Sequence, residues 1–328
     1  MKIKSAMINK IKNYLGLQTL NLVAFADSHI GTRQENQDNY LLIQKEHDKI
    51  TAHFLKDEQK QSIHLSAWPD DSIIRIAVAD GMGGHANGRQ IAEQLIDELI
   101  ELPPQYTPEN LKQQISDIHK RLYDSYAPHA EKKPGTTLVM ADINRQTGKG
   151  VLINVGDSRA YIIKKSFFKK NYPTIRQLTK DHSYAEFSYR DGELDKKLYI
   201  NHINSQQIRI AQAIGLGSRG IIKDDEGFKP NRPDKEIRID LKHELGKNFQ
   251  THADAFSFEL KPDELIMLST DGLWSGESTG HWNNNFLFNK ISPHVLKQII
   301  ETALEQNAND NITLAISGFQ KRAYDEDK

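Results

Sequence analysis

Apolar runs recur along the chain between short polar or glycine-bearing stretches, and their periods sort into two kinds. Nine runs are short, rich in β-branched residues and bounded by Gly, Asp or Asn, which predicts strands. They are Asn21–Ala26, Asn39–Ile43, Ile73–Ala79, Thr136–Ile143, Val151–Val155, Arg159–Ile163, Phe256–Leu260, Leu265–Ser269 and Asn311–Ser317. Other stretches follow the helical period. Gly88–Leu102 aligns Ile91, Leu95, Leu99 and Leu102, and Pro108–Tyr126 aligns Leu111, Ile115, Ile118 and Leu122. Pro108 suits a first helical turn, and a third helix is predicted over Pro293–Glu305. Strand runs that neighbour one another, with helices clustered between them, predict an α+β fold with largely antiparallel sheets.

The remaining stretches shape the domain picture. Residues 2–17 predict an amphipathic helix, with Ile3, Met7, Ile11, Tyr14 and Leu15 on one face and Lys2, Lys4, Lys10 and Lys12 among them. Packing on the domain or on a partner is the plainer reading, and attachment to a membrane surface the weaker one. Residues 44–71 and 217–254 are polar and charged and read as insertions running over the surface. The chain therefore reads as a helical extension over 1–20, one domain over 21–319 and a charged tail over 320–328.

Composition narrows the chemistry. A chain of 328 residues, 38% hydrophobic, can bury a large core. With 43 basic and 44 acidic residues the net charge is −1, so no nucleic-acid partner is expected. The absence of cysteine excludes disulfides, thiolate zinc sites and a cysteine nucleophile, and a cytoplasmic location is expected. No run is long and apolar enough to span a bilayer, and Lys10 and Lys12 interrupt the apolar segment a signal peptide needs.

Aspartates at strand ends are the candidate chemistry. Asp80 follows Ile73–Ala79 and opens Asp80-Gly81-Met82-Gly83-Gly84. Asp157 follows Val151–Val155, Asp271 follows Leu265–Ser269, Asp310 precedes the last strand and Asp38 precedes Asn39–Ile43. A strand is a rigid mount, and a carboxylate at its tip can face a cleft. Hard cations take carboxylates, a backbone carbonyl and water as ligands. A glycine after the acid lets the backbone turn its carbonyl toward an ion. Any one Asp-Gly reads first as a turn, but repelling carboxylates are rarely gathered without a cation. Arg33, a few residues before Asp38, could grip a phosphate with its guanidinium, although by residue type alone a surface arginine is the plainer reading.

Taken in order, the motifs Gly31–Asp38, Val78–Gly84, Gly135–Leu138, Asn154–Arg159, Leu178–His182, Ala213–Gly215, Leu268–Gly272 and Asp310–Thr313 resemble the metal-dependent protein phosphatase family, the protein phosphatase 2C type, from about Ala24 to Phe319. The resemblance implies a four-layer αββα sandwich with two central antiparallel sheets. It implies a protein serine/threonine phosphatase that uses a metal-activated water and no phosphoenzyme, with two to three Mn²⁺ or Mg²⁺ ions per chain. Its partner would be a phosphoprotein substrate of a serine/threonine kinase. Residue by residue, Asp80 would bridge two ions, Gly81 would offer its carbonyl to one, and Asp271 and Asp310 would hold the other. Asp38 would serve the Gly81 side, directly or through water, and Asp157 would share a third, weaker ion with Asp271. Arg33 would hold the substrate phosphate. Catalytic roles thus fall to Arg33, Asp80 and Asp271.

The chain departs from the family pattern in places. Gln37 stands where the family often has glutamate, so Asp38 must supply the anionic ligand there alone. Met82 stands where animal members carry a histidine thought to protonate the leaving group, and His85 nearby reads as structural. Ser183–Ser205 aligns with the family's flap beside the site. Its aromatics Tyr184, Phe187, Tyr189 and Tyr199 suit either a partner surface or the packing of the flap itself. Two other functions remain open: a phosphoprotein-binding module without activity, against which Asp80, Asp271 and Asp310 argue, and a phosphatase of small phosphoesters.

Overall fold

The computed structural model describes residues 20–83, 86–126, 134–164, 174–190, 192–203, 210–216, 255–274 and 291–321. The helix expected over 2–17, the stretch 217–254, His85 and residues 322–328 lie outside the described residues.

Two antiparallel sheets face each other. The first takes β1 (Leu20–His29), β9 (Arg159–Lys164), β10 (Thr174–Gln177), β12 (Glu264–Ser269) and β13 (Ile312–Lys321) in the order β1-β13-β12-β9-β10. The second takes β2 (Asp38–Glu46), β3 (Lys49–Lys56), β4 (Gln59–His64), β5 (Ile73–Met82), β7 (Leu138–Asn144), β8 (Lys149–Val155) and β11 (Ala255–Glu259) in the order β11-β8-β7-β5-β2-β3-β4. The short β6 (Gly135–Thr136) pairs with the end of β5.

Alternation along the strands builds the layers. Ile74, Ile76 and Val78 of β5 point between the sheets, where they meet Ile162, Ile266, Leu268 and Ala315. Their neighbours Ala77 and Ala79 point the other way, onto α1 (Ala86–Glu101) and α2 (Pro108–Tyr126) through Ile91, Leu95, Leu111 and Ile115. On the outer face of the first sheet, Met267, Leu314 and Ile316 meet Leu296, Ile299 and Ile300 of α5 (Pro293–Glu305). The result is the αββα sandwich that the motif resemblance implies. Among the described residues, no helix is long and apolar enough to cross a membrane.

Every strand and helix predicted within the described residues is present, and three stretches differ in detail. Residues 44–71, expected as a surface excursion, include the hairpin β3–β4, which continues the second sheet beyond β2. Ala52, Phe54 and Leu55 of β3 are buried while all of β4 is exposed. A polar edge strand of this kind carries no alternating signature to read. The expected run Thr136–Ile143 is interrupted at Thr137. In the flap, α3 (Tyr184–Arg190) and α4 (Lys196–Ile203) are present, with Phe187 and Tyr199 buried and Tyr189 stacked on Tyr199 at 4.6 Å between ring centroids. Phe187 packs on His182 and Ala211, so these aromatics pack the flap down onto the domain.

Candidate metal centre

Carboxylates from both sheets gather at one end of the sandwich. Asp38 at the start of β2 lies directly opposite Asp80 in the ladder with β5. The Thr270 hydroxyl, at the end of β12, donates to Asp38 Oδ2 at 2.7 Å and so ties the first sheet to the second. Asp271 follows in a single 3₁₀ turn, Asp271–Leu273, and its carboxyl is within hydrogen-bonding reach of that of Asp80. Asp310 precedes β13 and pairs with Arg33 at 2.7 Å. Asp157, after β8, is buried and feels the charge of Asp271. Thr32, Arg33, Glu35, Gln37, Gly81 and Met82 complete the lining of a cleft of about 530 Å³ with Asp80 and Asp310. Of the residues that the sequence singles out, all seven thus lie at this end of the fold.

The backbone around the acids is tight. A Cβ on Gly81 would lie 2.1 Å from the carbonyl oxygen of Gly88 and 2.8 Å from that of Gln37, so only glycine allows α1 to begin this close to the strand. Gly31 combines φ +64° with a Cβ position 2.0 Å from the Asp310 carbonyl oxygen. It lets the loop that carries Arg33 lie against the Asp310 backbone.

Side chains not singled out by the sequence hold this arrangement. Asn311 accepts the Gln37 N–H at 2.9 Å and donates to the carbonyls of Ile30 and Glu35 at 2.8 and 3.1 Å, which shapes the whole 30–37 loop. Thr137 Oγ1 accepts the Asp80 N–H at 2.9 Å and pairs with Ser158 Oγ at 2.7 Å. Arg159 grips Asp181 through two contacts of 2.8 and 2.6 Å and lies 3.3 Å from the Trp274 ring centroid. Arg89 joins Glu35 to Asp57 of the β3–β4 turn, while Glu58 accepts the Asn36 N–H at 3.1 Å. The hairpin that looked like an insertion thus braces the loop bearing Arg33. Asn311, Ser158 and Arg159 stand inside the recognised motifs, but their partners are distant in sequence and no spacing exposes them.

Charge crowding is visible in the acidities. Burial, followed by the negative charges of Asp38, Asp271, Asp157 and Asp310, holds the Asp80 carboxyl well above the usual carboxylate range. Burial also pushes Asp38 up to about 8 and Asp271 up to about 6, against hydroxyl donors at the first and a bond to Asp80 at the second. Burial and Asp271 raise Asp157. Arg33 is raised, chiefly by its bond to Asp310.

Such a cluster suits a divalent cation in its chemistry. Its side-chain donors are carboxylate oxygens, the choice of Mg²⁺ and Mn²⁺. Asp271 Oδ1 is buried and has no hydrogen-bond partner, as an oxygen awaiting a cation would be. Among the described residues no three acidic or imidazole side chains converge on one ion position. The ligand sphere would therefore be completed by the Gly81 carbonyl and water, which these ions accept. A larger cavity of about 650 Å³ lies at the opposite end of the second sheet, bordered by Ile73, Tyr106, Asn144, Lys149 and Phe258. Its one buried acid, Asp142, is neutralised by Arg75 at 2.6 Å.

Comparison with known proteins agrees with the fold. The family profile described as Protein phosphatase 2C matches residues 31–186. A "Serine/threonine phosphatase stp" of Listeria innocua is 32% identical over 250 residues, covering 74% of this chain and 82% of that protein. Its counterpart in Listeria welshimeri is 34% identical over 140 residues, which is 39% of this chain and half (50%) of that protein. The solved catalytic domain of the serine threonine protein phosphatase PstP, in complex with two manganese ions, superposes with a TM-score of 0.54 at 18% identity, covering 92% of this chain and 99% of that one.

Proposed function

The chain belongs to the protein phosphatase 2C family, and we propose that it is a metal-dependent protein serine/threonine phosphatase that hydrolyses phosphoserine and phosphothreonine in the acidic cleft. One observation carries the assignment of the site: carboxylates from both sheets meet in one cleft, with an arginine more than half exposed at its mouth. In this reading Asp80 would contribute to holding two ions, one together with Asp38 and the Gly81 carbonyl and the other together with Asp271 and Asp310. Asp157 with Asp271 offers a third, weaker position. The ions are Mn²⁺ or Mg²⁺, two to three per chain, by analogy with the manganese held by PstP. Cations bound there would neutralise phosphate charge and supply an acidified water.

The chain's own groups do the rest. Arg33 exchanges its bond to Asp310 for phosphate oxygens, matching two of them with one guanidinium face. The carboxylates orient the ions and repel any anion that approaches without them. Asn311 and the β3–β4 turn hold the arginine loop in register with the acids. Met82 lines the cleft and has no exchangeable proton, so the departing seryl or threonyl oxygen would take its proton from a water near Asp157 or from solvent. The substrate is a phosphoprotein, the product of a serine/threonine kinase, met in the cytoplasm. The catalytic unit spans 21–319.

The test is direct. With Mn²⁺, the purified chain should release phosphate from a phosphothreonine peptide in preference to nucleotides. Asp80→Asn and Asp271→Asn should each lower turnover by about 100-fold or more, since several kcal/mol of charge stabilisation is lost. Near-normal turnover in either variant would overturn the site assignment. Turnover of nucleotides alone would overturn the substrate class.

A further inference from the structure

Behind Asp38, between the two sheets, lies a closed ring of polar side chains that the reaction as described does not use. Asp38 donates its own N–H to Asn36 Oδ1 at 3.2 Å. That contact fixes the amide so that its nitrogen faces Ser28, and Asn36 Nδ2 donates to Ser28 Oγ at 2.8 Å. Ser28 and Thr313 are direct partners in the β1–β13 ladder, and their hydroxyls lie 2.7 Å apart. Because Ser28 Oγ already accepts from Asn36, its own proton is free for Thr313 Oγ1. The Thr313 hydroxyl in turn lies close enough to the Asp38 carboxyl to favour its charged form, which brings the ring back to its start.

A second arm arrives from β12. Thr270 and Thr313 exchange backbone contacts, Thr270 N–H to Thr313 carbonyl at 3.0 Å and Thr313 N–H to Thr270 Oγ1 at 2.9 Å. With that lone pair occupied, the Thr270 hydroxyl proton goes to Asp38 Oδ2 at 2.7 Å. Thr270 and Thr313 are fully buried, Asp38 and Asn36 nearly so. Both arms thus bring a hydroxyl to the same carboxylate, Thr270 as its donor at 2.7 Å and Thr313 beside it.

We propose that Thr313, Thr270 and Ser28 are positioning residues that hold the Asp38 carboxylate from behind as an acceptor of two hydroxyl protons, and so set its remaining lone pairs toward a divalent cation in the cleft. The inference rests on the reading of Asp38 as a ligand. The physical reason is that a carboxylate on a single χ1–χ2 pair rotates unless its far side is bonded, and partners behind metal ligands commonly govern affinity by about 10–100-fold. Both sheets contribute, since Asp38 belongs to the second and all three hydroxyls to the first. The ring therefore also fixes the register between Asp38 and the Asp271–Asp310 side of the cleft.

The experiment is titration calorimetry of Mn²⁺ into the full-length metal-free chain, with kcat and KM for a phosphothreonine peptide at saturating Mn²⁺. Thr313→Val and Thr270→Val are expected to raise the Mn²⁺ Kd by about 10–100-fold. Thr313→Ser and Thr270→Ser, which keep the hydroxyl, should stay within about threefold of the parent, as a restored partner requires. The peptide KM at saturating metal should not move, because no hydroxyl touches substrate. Ser28→Ala, a smaller change at the end of the ring, should raise Kd by about 3–10-fold and decides the matter if a valine variant fails to fold. Folded Thr313→Val with the parent's Kd, or serine variants as weak as the valine ones, would overturn the proposal. Asp38→Asn separates the two levels. If it weakens Mn²⁺ binding while the hydroxyl variants do not, the ring is wrong and the ligand stands. If it binds Mn²⁺ as the parent does, the ligand assignment itself fails.

Discussion

Gly81→Ala tests how the close backbone approach at the start of α1 serves the cleft. Gly81 is not among the glycines with positive φ, so an alanine there meets no conformational strain of its own. The whole effect is contact. The added Cβ would lie 2.1 Å from Gly88 O, 2.5 Å from Gly88 C and 2.8 Å from Gln37 O, all backbone atoms that no rotamer change can move. Relief requires α1 to lift or the strand end to shift, and overpacking of this kind costs about 1–3 kcal/mol, with rigid backbone neighbours favouring the upper part of that range. At roughly 2–3 °C per kcal/mol for a domain of this size, the melting point should fall by about 6–9 °C. The shift would also turn the Gly81 carbonyl and move the Gln37–Asp38 backbone, since Gly81 N–H donates to Gln37 O at 3.2 Å. Differential scanning calorimetry with and without Mn²⁺ reads both effects. The variant should melt lower in either condition and gain less from added metal than the parent. A melting point within about 1 °C of the parent, with the same gain from Mn²⁺, would refute the reasoning, because overpacking on rigid backbone cannot be that small.

Other expectations follow from particular contacts. Arg33→Ala removes a charged hydrogen-bonding group worth about 1.5–3 kcal/mol, so kcat/KM for a phosphopeptide should fall by roughly 10–150-fold. Arg33→Lys should recover only part of it, since an ammonium lacks the fork, and equal rates for the two variants would count against a bidentate grip. Asp38 and Asp271 have folded pKa values raised to about 8 and about 6, above an unfolded value of about 4. The folded metal-free chain thus binds more protons than the unfolded one in that window, and their contribution to stability is full below about pH 4 and declines as pH rises through about 6 and then about 8. Urea unfolding of metal-free protein should show this slope weakened in Asp271→Asn, and an unchanged slope would contradict it. The Arg75–Asp142 pair has both side chains fully buried, and Arg75 also bonds the carbonyls of Leu99, Leu102 and Pro103. Asp142→Ala should cost about 3–5 kcal/mol by leaving a buried charge unpaired. The double change Arg75→Met with Asp142→Leu should recover part of it, falling short because those carbonyls lose their donor; full loss in the double variant would argue against the charge penalty.

Most of the described strands, the long helices α1, α2 and α5 and the ends at which the aspartates sit were legible in the sequence, because each depends on local period and on glycine beside an acid. Asp80 after Ile73–Ala79 and Asp271 after Leu265–Ser269 are read without knowing what lies across from them. The motif order carried the family and the layered fold with it. Tertiary structure alone decided what faces what. That Asp38 pairs opposite Asp80, that Thr270 reaches across to Asp38, and that Asn311 shapes the arginine loop all join residues 42 to 281 positions apart. The hairpin β3–β4 was not read as strands; its edge strand β4 is exposed and has no buried face to impose alternation, yet the turn before it braces Asn36. The flap aromatics were undecided for the same reason: composition admits both an exposed surface and a packed one. Only the burial of Phe187 and Tyr199 separates them. Period is a property of the chain and can be read along it, whereas partnership between distant side chains exists only once the two sheets have closed on each other.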